Sequence, residues 1–179
     1  MVDVPHRFRV AQPDDAATVS AVLTAAAQRL IDRGRALWLL QDVALPAIAS
    51  QVAEGLYHVG EQAGEVVGVF RLDPQDALFW PEMPLGSAAY LHKLAVVPQR
   101  QGDNLAHRLL THAVDLTRQR GMPFLRLDCI ADRPALRGVY ERFGFRHRSQ
   151  KQLGSGRYER FELPVTPKAL KPVSSTSTS

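Results

Sequence analysis

Leu94-Ala95-Val96-Val97-Pro98-Gln99-Arg100-Gln101-Gly102-Asp103-Asn104-Leu105-Ala106-His107-Arg108-Leu109-Leu110 is the stretch whose reading decides the fold. Alternating apolar residues end at Val97, and Pro98, which lacks a backbone N–H, cannot continue a ladder. A turn of small and polar residues follows. An amphipathic helix then starts at once, with Leu105, Leu109 and Leu110 on its apolar side. A helix N-terminus carries unpaired N–H groups and the positive end of the macrodipole. A turn with little side-chain bulk at Gly102 and Ala106 lets an anionic group approach those donors. The same residues would also suit a plain helix start.

Outward from this stretch, the chain reads as alternating strands and helices. Phe8 to Ala11 suit a short strand. Pro13-Asp14-Asp15 opens a helix with Val19, Val22, Leu23, Ala26 and Leu30 at helical spacing, ended by Gly34. A second helix is expected from about Gln41 to Glu54. Leu56 to Gly60 and Val66 to Leu72 are β-rich and joined by Glu61-Gln62-Ala63-Gly64, a hairpin pattern. Asp73 to Gly86 contains three prolines and two aromatics, Phe79 and Trp80, expected to be exposed on a long loop. Ala88 to Val97 is the next strand and Ala106 to Arg120 the next helix. They are followed by a strand at Phe124 to Cys129, a helix at Pro134 to Phe143 and a strand at Tyr158 to Leu163. The order predicts an α/β layer fold, α+β in the sense of three layers, around a mixed sheet. Residues 1–165 are expected to form one domain and 166–179 a flexible tail poor in apolar residues.

Composition narrows the classes. Of 179 residues, 45% are hydrophobic and 22% charged, an ordinary globular balance. The single cysteine, Cys129, excludes an internal disulfide, and the six histidines show no metal-ligand spacing, so no metal is expected. No apolar run approaches the roughly 18 residues of a membrane span, and the N-terminal residues lack a secretory h-region. A cytoplasmic protein without membrane contact is expected. The net charge of +4 is scattered, which speaks against a nucleic-acid partner, while a polyanionic ligand would use some of it.

The decisive stretch resembles the acetyl-CoA-binding motif of the GNAT (GCN5-related N-acetyltransferase) superfamily, Val-x-Pro-x-x-(Arg/Gln)-Gly-x-Gly-x-(Gly/Ala). Pro98, Gln101, Gly102 and Ala106 match it. Asn104 stands where the family usually has its second glycine, and asparagine tolerates left-handed backbone better than other side chains. A second stretch, Arg133-Pro134-Ala135-Leu136-Arg137-Gly138-Val139-Tyr140-Glu141-Arg142-Phe143-Gly144-Phe145, resembles the family's Asn-x-x-Ala-x-x-x-Tyr-x-x-x-Gly-Phe. Tyr140, Gly144 and Phe145 match in register, while Arg133 and Leu136 replace Asn and Ala. The resemblance covers about residues 7 to 163, with the strong motifs between about 88 and 145.

The resemblance implies a twisted, mostly antiparallel mixed sheet with helices on both faces. It also implies an N-acetyltransferase that moves an acetyl group from acetyl-CoA to a primary amine by direct attack in a ternary complex. Backbone groups of Leu94, Ala95 and Val96 would hold the pantetheine arm, with the Val96 N–H as oxyanion donor. Amides of Gln101, Gly102, Asp103, Asn104, Leu105 and Ala106 would hold the pyrophosphate. Tyr140 is the general-acid candidate beside the CoA sulfur. For the base, strand alternation places Tyr90, His92, Leu94 and Val96 on one face, with His92 about 13 Å from Val96 in an extended strand. An imidazole with a pKa of about 6.5 accepts a proton near neutrality. Asp128 on the next strand competes for that role, as does ordered water.

A small-molecule amine is the expected acceptor, bounded by Gln28 to Trp38, Asp73 to Gly86 and Gln150 to Tyr158. Trp38, Phe79, Trp80 and Tyr158 are candidates for an aromatic wall, and Asp32, Asp42 and Glu82 for recognition of a cation. Family members often dimerise, so a homodimer is an option. Alternatives are a non-catalytic acyl-CoA-binding regulatory module, or acetylation of a macromolecular amine on a protein or aminoacyl-tRNA. A Rossmann-type nucleotide binder is disfavoured, because no G-x-G-x-x-G follows the first strand.

Overall fold

The computed structural model describes residues 5–100 and 104–166. Gln101, Gly102 and Asp103 of the phosphate turn, and the tail beyond Thr166, lie outside the described residues. The strands are β1 (Arg7–Val10), β2 (Tyr57–Gln62), β3 (Glu65–Asp73), β4 (Ala89–Val96), β5 (Phe124–Ile130), β6 (Arg146–Leu153) and β7 (Gly156–Pro164). The helices are α1 (Ala16–Asp32), α2 (Leu45–Ala53), α3 (Leu105–Gln119) and α4 (Pro134–Phe143). The seven strands form one sheet in the order β1-β2-β3-β4-β5-β7-β6. Every neighbouring pair is antiparallel except β4–β5, which is parallel because α3 crosses over between them.

Helices cover both faces, as expected. The apolar sides of α1 and α2 (Val19, Leu23, Ile48, Val52) pack on Tyr57, Val59, Val69 and Ala95. The apolar sides of α3 and α4 (Leu105, Leu109, Leu110, Tyr140) pack on Phe70, Leu72, Leu91, Leu125 and Leu127. Close approach of α3 to the sheet depends on Gly68, where an added Cβ would come within 2.7 Å of the Leu109 side chain.

Four expectations need correction. The second helix is shorter: a 3-10 turn over Leu40–Val43 precedes it, and it restarts at Leu45 with Pro46 in its first turn, where a missing N–H costs nothing. The first hairpin turns on two residues, Ala63 and Gly64, both with positive φ (52° and 81°), as a tight hairpin requires. Strand β6 appears where no strand was expected. Its sequence Arg-His-Arg-Ser-Gln-Lys-Gln-Leu carries no apolar alternation because it is an edge strand, paired only with β7. Trp80 is buried, with 2% of its surface exposed. Its ring lies 4.6 Å from the Arg160 guanidinium and 5.2 Å from that of Arg126, a covering that loop composition does not reveal.

Candidate active site

Strand β4 is the axis of the site. Its pairing with β3 slips between Val69 and Arg71, so that Arg71 opposes His92 but Val69 opposes Ala95. Lys93 takes up the extra residue with φ +50°, a β-bulge. The bulge reverses the phase of the strand. Ala89 and Leu91 face α3 before it, Leu94 and Val96 face α3 after it, and Ala95 faces α1. The single face expected for Tyr90, His92, Leu94 and Val96 is therefore wrong: His92 lies on the opposite face from Leu94 and Val96.

On its other edge β4 pairs with β5 only at Ala89↔Leu125 and Tyr90↔Arg126. Beyond Tyr90 the two strands part, and a cavity of about 410 Å³ lies between and above them. Leu91 to Leu94 line one side and Asp128 to Ile130 the other. Helix α4 contributes Leu136 and Tyr140. Of the expected aromatic wall, Trp38, Phe79 and Tyr158 line this cavity, Phe79 meeting Tyr158 edge-on at 4.9 Å. Trp80 does not line it; nor do Asp32, which accepts a hydrogen bond from Gln28 at 2.7 Å, and Glu82, which pairs with Arg160 at 2.6 Å.

The polar end of the cavity is a cluster of five side chains. Asp73 accepts two hydrogen bonds from Arg71, at 2.8 and 2.6 Å. Asp76 folds the loop beneath it, its Oδ1 accepting the amides of Leu78 (3.1 Å) and Phe79 (2.9 Å). Its Oδ2 has no hydrogen-bond partner and points to His92, whose Nε2 lies 3.4 Å away and 3.7 Å from Asp73 Oδ2. Asp128 Oδ1 is likewise buried and unpartnered. One ligand atom each from Asp76, His92 and Asp128 lie within 4.8 Å of one another. Two carboxylates and an imidazole are a set able to take a cation, although nothing in the histidine spacing indicated it.

Burial sets the protonation states. It lowers the imidazole pKa of His92, against the opposing pull of Asp76 and Asp73. It also pushes Asp128 up to about 8, helped by the like charge of Asp76 and opposed by Arg160. Tyr140 is buried among Phe145 and Phe161, and burial raises its phenol well above the ordinary tyrosine value. The Cys129 thiol is pushed up to about 11, again by burial first, which leaves it a poor nucleophile.

At the far end of β4 the chain enters α3 through Asn104, with φ 56° and ψ 18° in the left-handed region. This is the geometry for which the usual glycine is suited, and no side chain caps the helix from Asn104. Leu105 is buried against the sheet and anchors the helix start. A helix of 15 residues whose start receives no cap from the Asn104 side chain, a β4 edge left free by β5 beyond Tyr90 and a cavity between the two strands together fit an extended anionic thioester carrier.

Residues 23–145 match the model of the Acetyltransferase (GNAT) family. The chain belongs to the GNAT family. It is 30% identical, over 86% of its length and 87% of the relative's, to the uncharacterized N-acetyltransferase YesJ of Bacillus subtilis. Its fold superposes on a GNAT-family acetyltransferase from Listeria monocytogenes with a TM-score of 0.77, at 22% identity, over 92% of this chain and 97% of that one. The putative acetyltransferase yncA from Salmonella typhimurium, solved with its cofactor acetyl-CoA, superposes with a TM-score of 0.70 at 17% identity, over 93% and 98% of the two chains. As a GNAT-family protein the chain is placed among the acetyltransferases. Among the described residues no helix is long and apolar enough to cross a membrane.

Sequence reasoning had Tyr140, His92 and Leu94 converging here, and the fold brings them to one cavity. It missed Asp73, Asp76, Arg71 and Lys93. For Asp76 a signal existed: an aspartate two and three residues before amides in a proline-bounded loop is a turn-forming side chain with one oxygen to spare.

Proposed function

We propose that this protein is an N-acetyltransferase that moves the acetyl group of acetyl-CoA to a small primary amine by direct attack within a ternary complex. The observation that carries the reading is the parting of β4 and β5, which opens a cavity bounded by His92 on one strand and Tyr140 on α4. When bound, acetyl-CoA supplies the thioester carbonyl that the amine attacks.

The chain's own residues divide the remaining work. The unpaired edge of β4 at Leu94, Ala95 and Val96 holds the pantetheine arm, and an amide there, that of Val96 by resemblance, steadies the oxygen that gains charge. Amides from Gln101, Gly102 and Asp103 through Asn104, Leu105 and Ala106 receive the pyrophosphate at the positive start of α3. His92 takes the proton from the amine: its lowered pKa keeps the imidazole neutral at pH 7, and Asp76 stabilises the imidazolium that forms. Tyr140 donates a proton to the departing sulfur. Its buried phenol stays protonated across the working range.

The test is calorimetric titration with acetyl-CoA of the wild type and of the double variant Gln101→Ala/Gly102→Glu, with amine-dependent CoA release followed in parallel. Binding lost in the variant, with CoA released on an amine panel, is the expected result. No acetyl-CoA binding by the wild type would overturn the reading.

A further inference from the structure

Asp76 has more to offer the cavity than its contact with His92. Its side chain is only 6% exposed, and one oxygen is spent on the loop amides while the other, Oδ2, has no hydrogen-bond partner. Leaving a buried carboxylate oxygen unpaired forfeits its hydration with nothing in return, so such an atom marks a position that a partner completes. The partner is not Arg71, whose guanidinium is held by both oxygens of Asp73. The nearest groups are His92 Nε2 at 3.4 Å and the second carboxylate, Asp128.

The dimensions of this triangle select what fits. Its three atoms lie within 4.8 Å of one another. A nitrogen seated over them reaches each at roughly 2.7–3.0 Å, the range of charge-assisted hydrogen bonds. The charge balance points the same way. Four carboxyl groups (Asp42, Asp73, Asp76, Asp128) line the cavity; Arg71 is paired with Asp73, and Asp128, which burial keeps protonated near neutrality, ionises more readily beside a seated ammonium, so Asp76 and Asp42 face Lys93 with negative charge to spare. Beyond the triangle the lining turns aromatic, with Phe79 and Tyr158 in edge contact.

We propose that Asp76, Asp128 and His92 form the seat for the acceptor's ammonium group, so that the acceptor enters as a cation, carries an apolar or aromatic body, and has no carboxylate beside its nitrogen. This rests on the transferase reading above and narrows its substrate class. An α-carboxylate next to the seated nitrogen would come within a few ångströms of Asp76, where like charges in a poorly solvated cavity repel strongly, and it would hold Asp128 in its protonated form. The carboxylates hold and orient the ammonium. His92, the third corner, then receives one of its protons, which leaves the nitrogen lone pair free for attack.

The experiment is a calorimetric titration of the full chain with 2-phenylethylamine and with phenylalanine, which differ by the α-carboxylate. It is run without CoA and needs no turnover, so it is independent of catalysis. Phenylethylamine is expected to bind at least tenfold more tightly. Asp76→Asn, which keeps an oxygen for the loop amides, and Asp128→Asn are each expected to weaken it at least fivefold, with acetyl-CoA affinity and Tm retained. Equal or tighter binding of phenylalanine would overturn the proposal, as would variants that fold normally and bind phenylethylamine like the wild type. Loss of the transferase reading shows separately, as absence of acetyl-CoA binding by the wild type.

Discussion

His92 and Val96 occupy one strand but opposite faces of the sheet, because the bulge at Lys93 inserts a residue between them. The histidine, next to Leu91 in the strand, faces away from α3 and toward Asp76, 3.4 Å from its Nε2, and the bulge returns Leu94 and Val96 to the α3 side.

This placement fixes the expected pH dependence. With its pKa lowered by burial, His92 is neutral, and in the proposed mechanism able to act as the base, above that pKa and is protonated below it. Plots of kcat/KM should therefore fall on the acid side with an apparent pKa below the ordinary histidine value of about 6.5. His92→Gln should remove this limb and lower kcat by about 100-fold. A limb near 8 that survives in His92→Gln would assign the proton to Asp128, which burial pushes up to about 8.

Tyr140→Phe should lower kcat by about 100-fold or more while leaving acetyl-CoA affinity within a few-fold, because only the departing sulfur loses its proton donor. The folded ring contacts with Phe145 and Phe161 are kept in the variant. Since burial raises the phenol's pKa, the wild type should show no alkaline loss from tyrosine ionisation up to pH 10. Stopped-flow thiol release across pH reads both effects.

At Asn104, φ of 56° restricts which side chains the helix entry accepts. Asn104→Gly should preserve stability and tighten acetyl-CoA binding several-fold by clearing a side chain from the pyrophosphate path. Asn104→Val should cost about 1–2 kcal/mol, since a β-branched residue resists the left-handed region. Thermal unfolding and calorimetry on the two variants separate strain from bulk.

Away from the site, His58 is stacked on Phe70 at 5.1 Å, with neither ring nitrogen bonded. Burial first, then Arg120 and His112, push its pKa down to about 4. Its folded value lies below the unfolded one, so its contribution is fully present above pH 6.5 and drains away as pH falls toward 4. The loss amounts to about 3 kcal/mol by the shift. His58→Phe should flatten the fall of Tm between pH 6.5 and 4, apart from the part carried by His112, whose pKa burial also lowers.

Sequence alone determined what depends on neighbours in the chain. The proline stop after Val97, the amphipathic α3, the Tyr140-to-Phe145 register and the boundaries of α4 were all legible, because helix periodicity and turn chemistry act over a few residues. The tolerance of Asn104 for left-handed backbone was legible for the same reason, being a property of the side chain itself. Tertiary structure decided the rest. Pairing with β3 placed the bulge at Lys93 and so set Leu94 and Val96 on the opposite face from His92; no periodicity within β4 could carry that information. Strand β6, polar up to its final Leu153, owes its existence to backbone hydrogen bonds with β7. Asp76, His92 and Asp128 come from a loop and two strands, and only the parting of β4 from β5 brings them together. Hydrogen-bond register and long-range packing are energies between distant segments, and a local pattern of residues does not record which segments will meet.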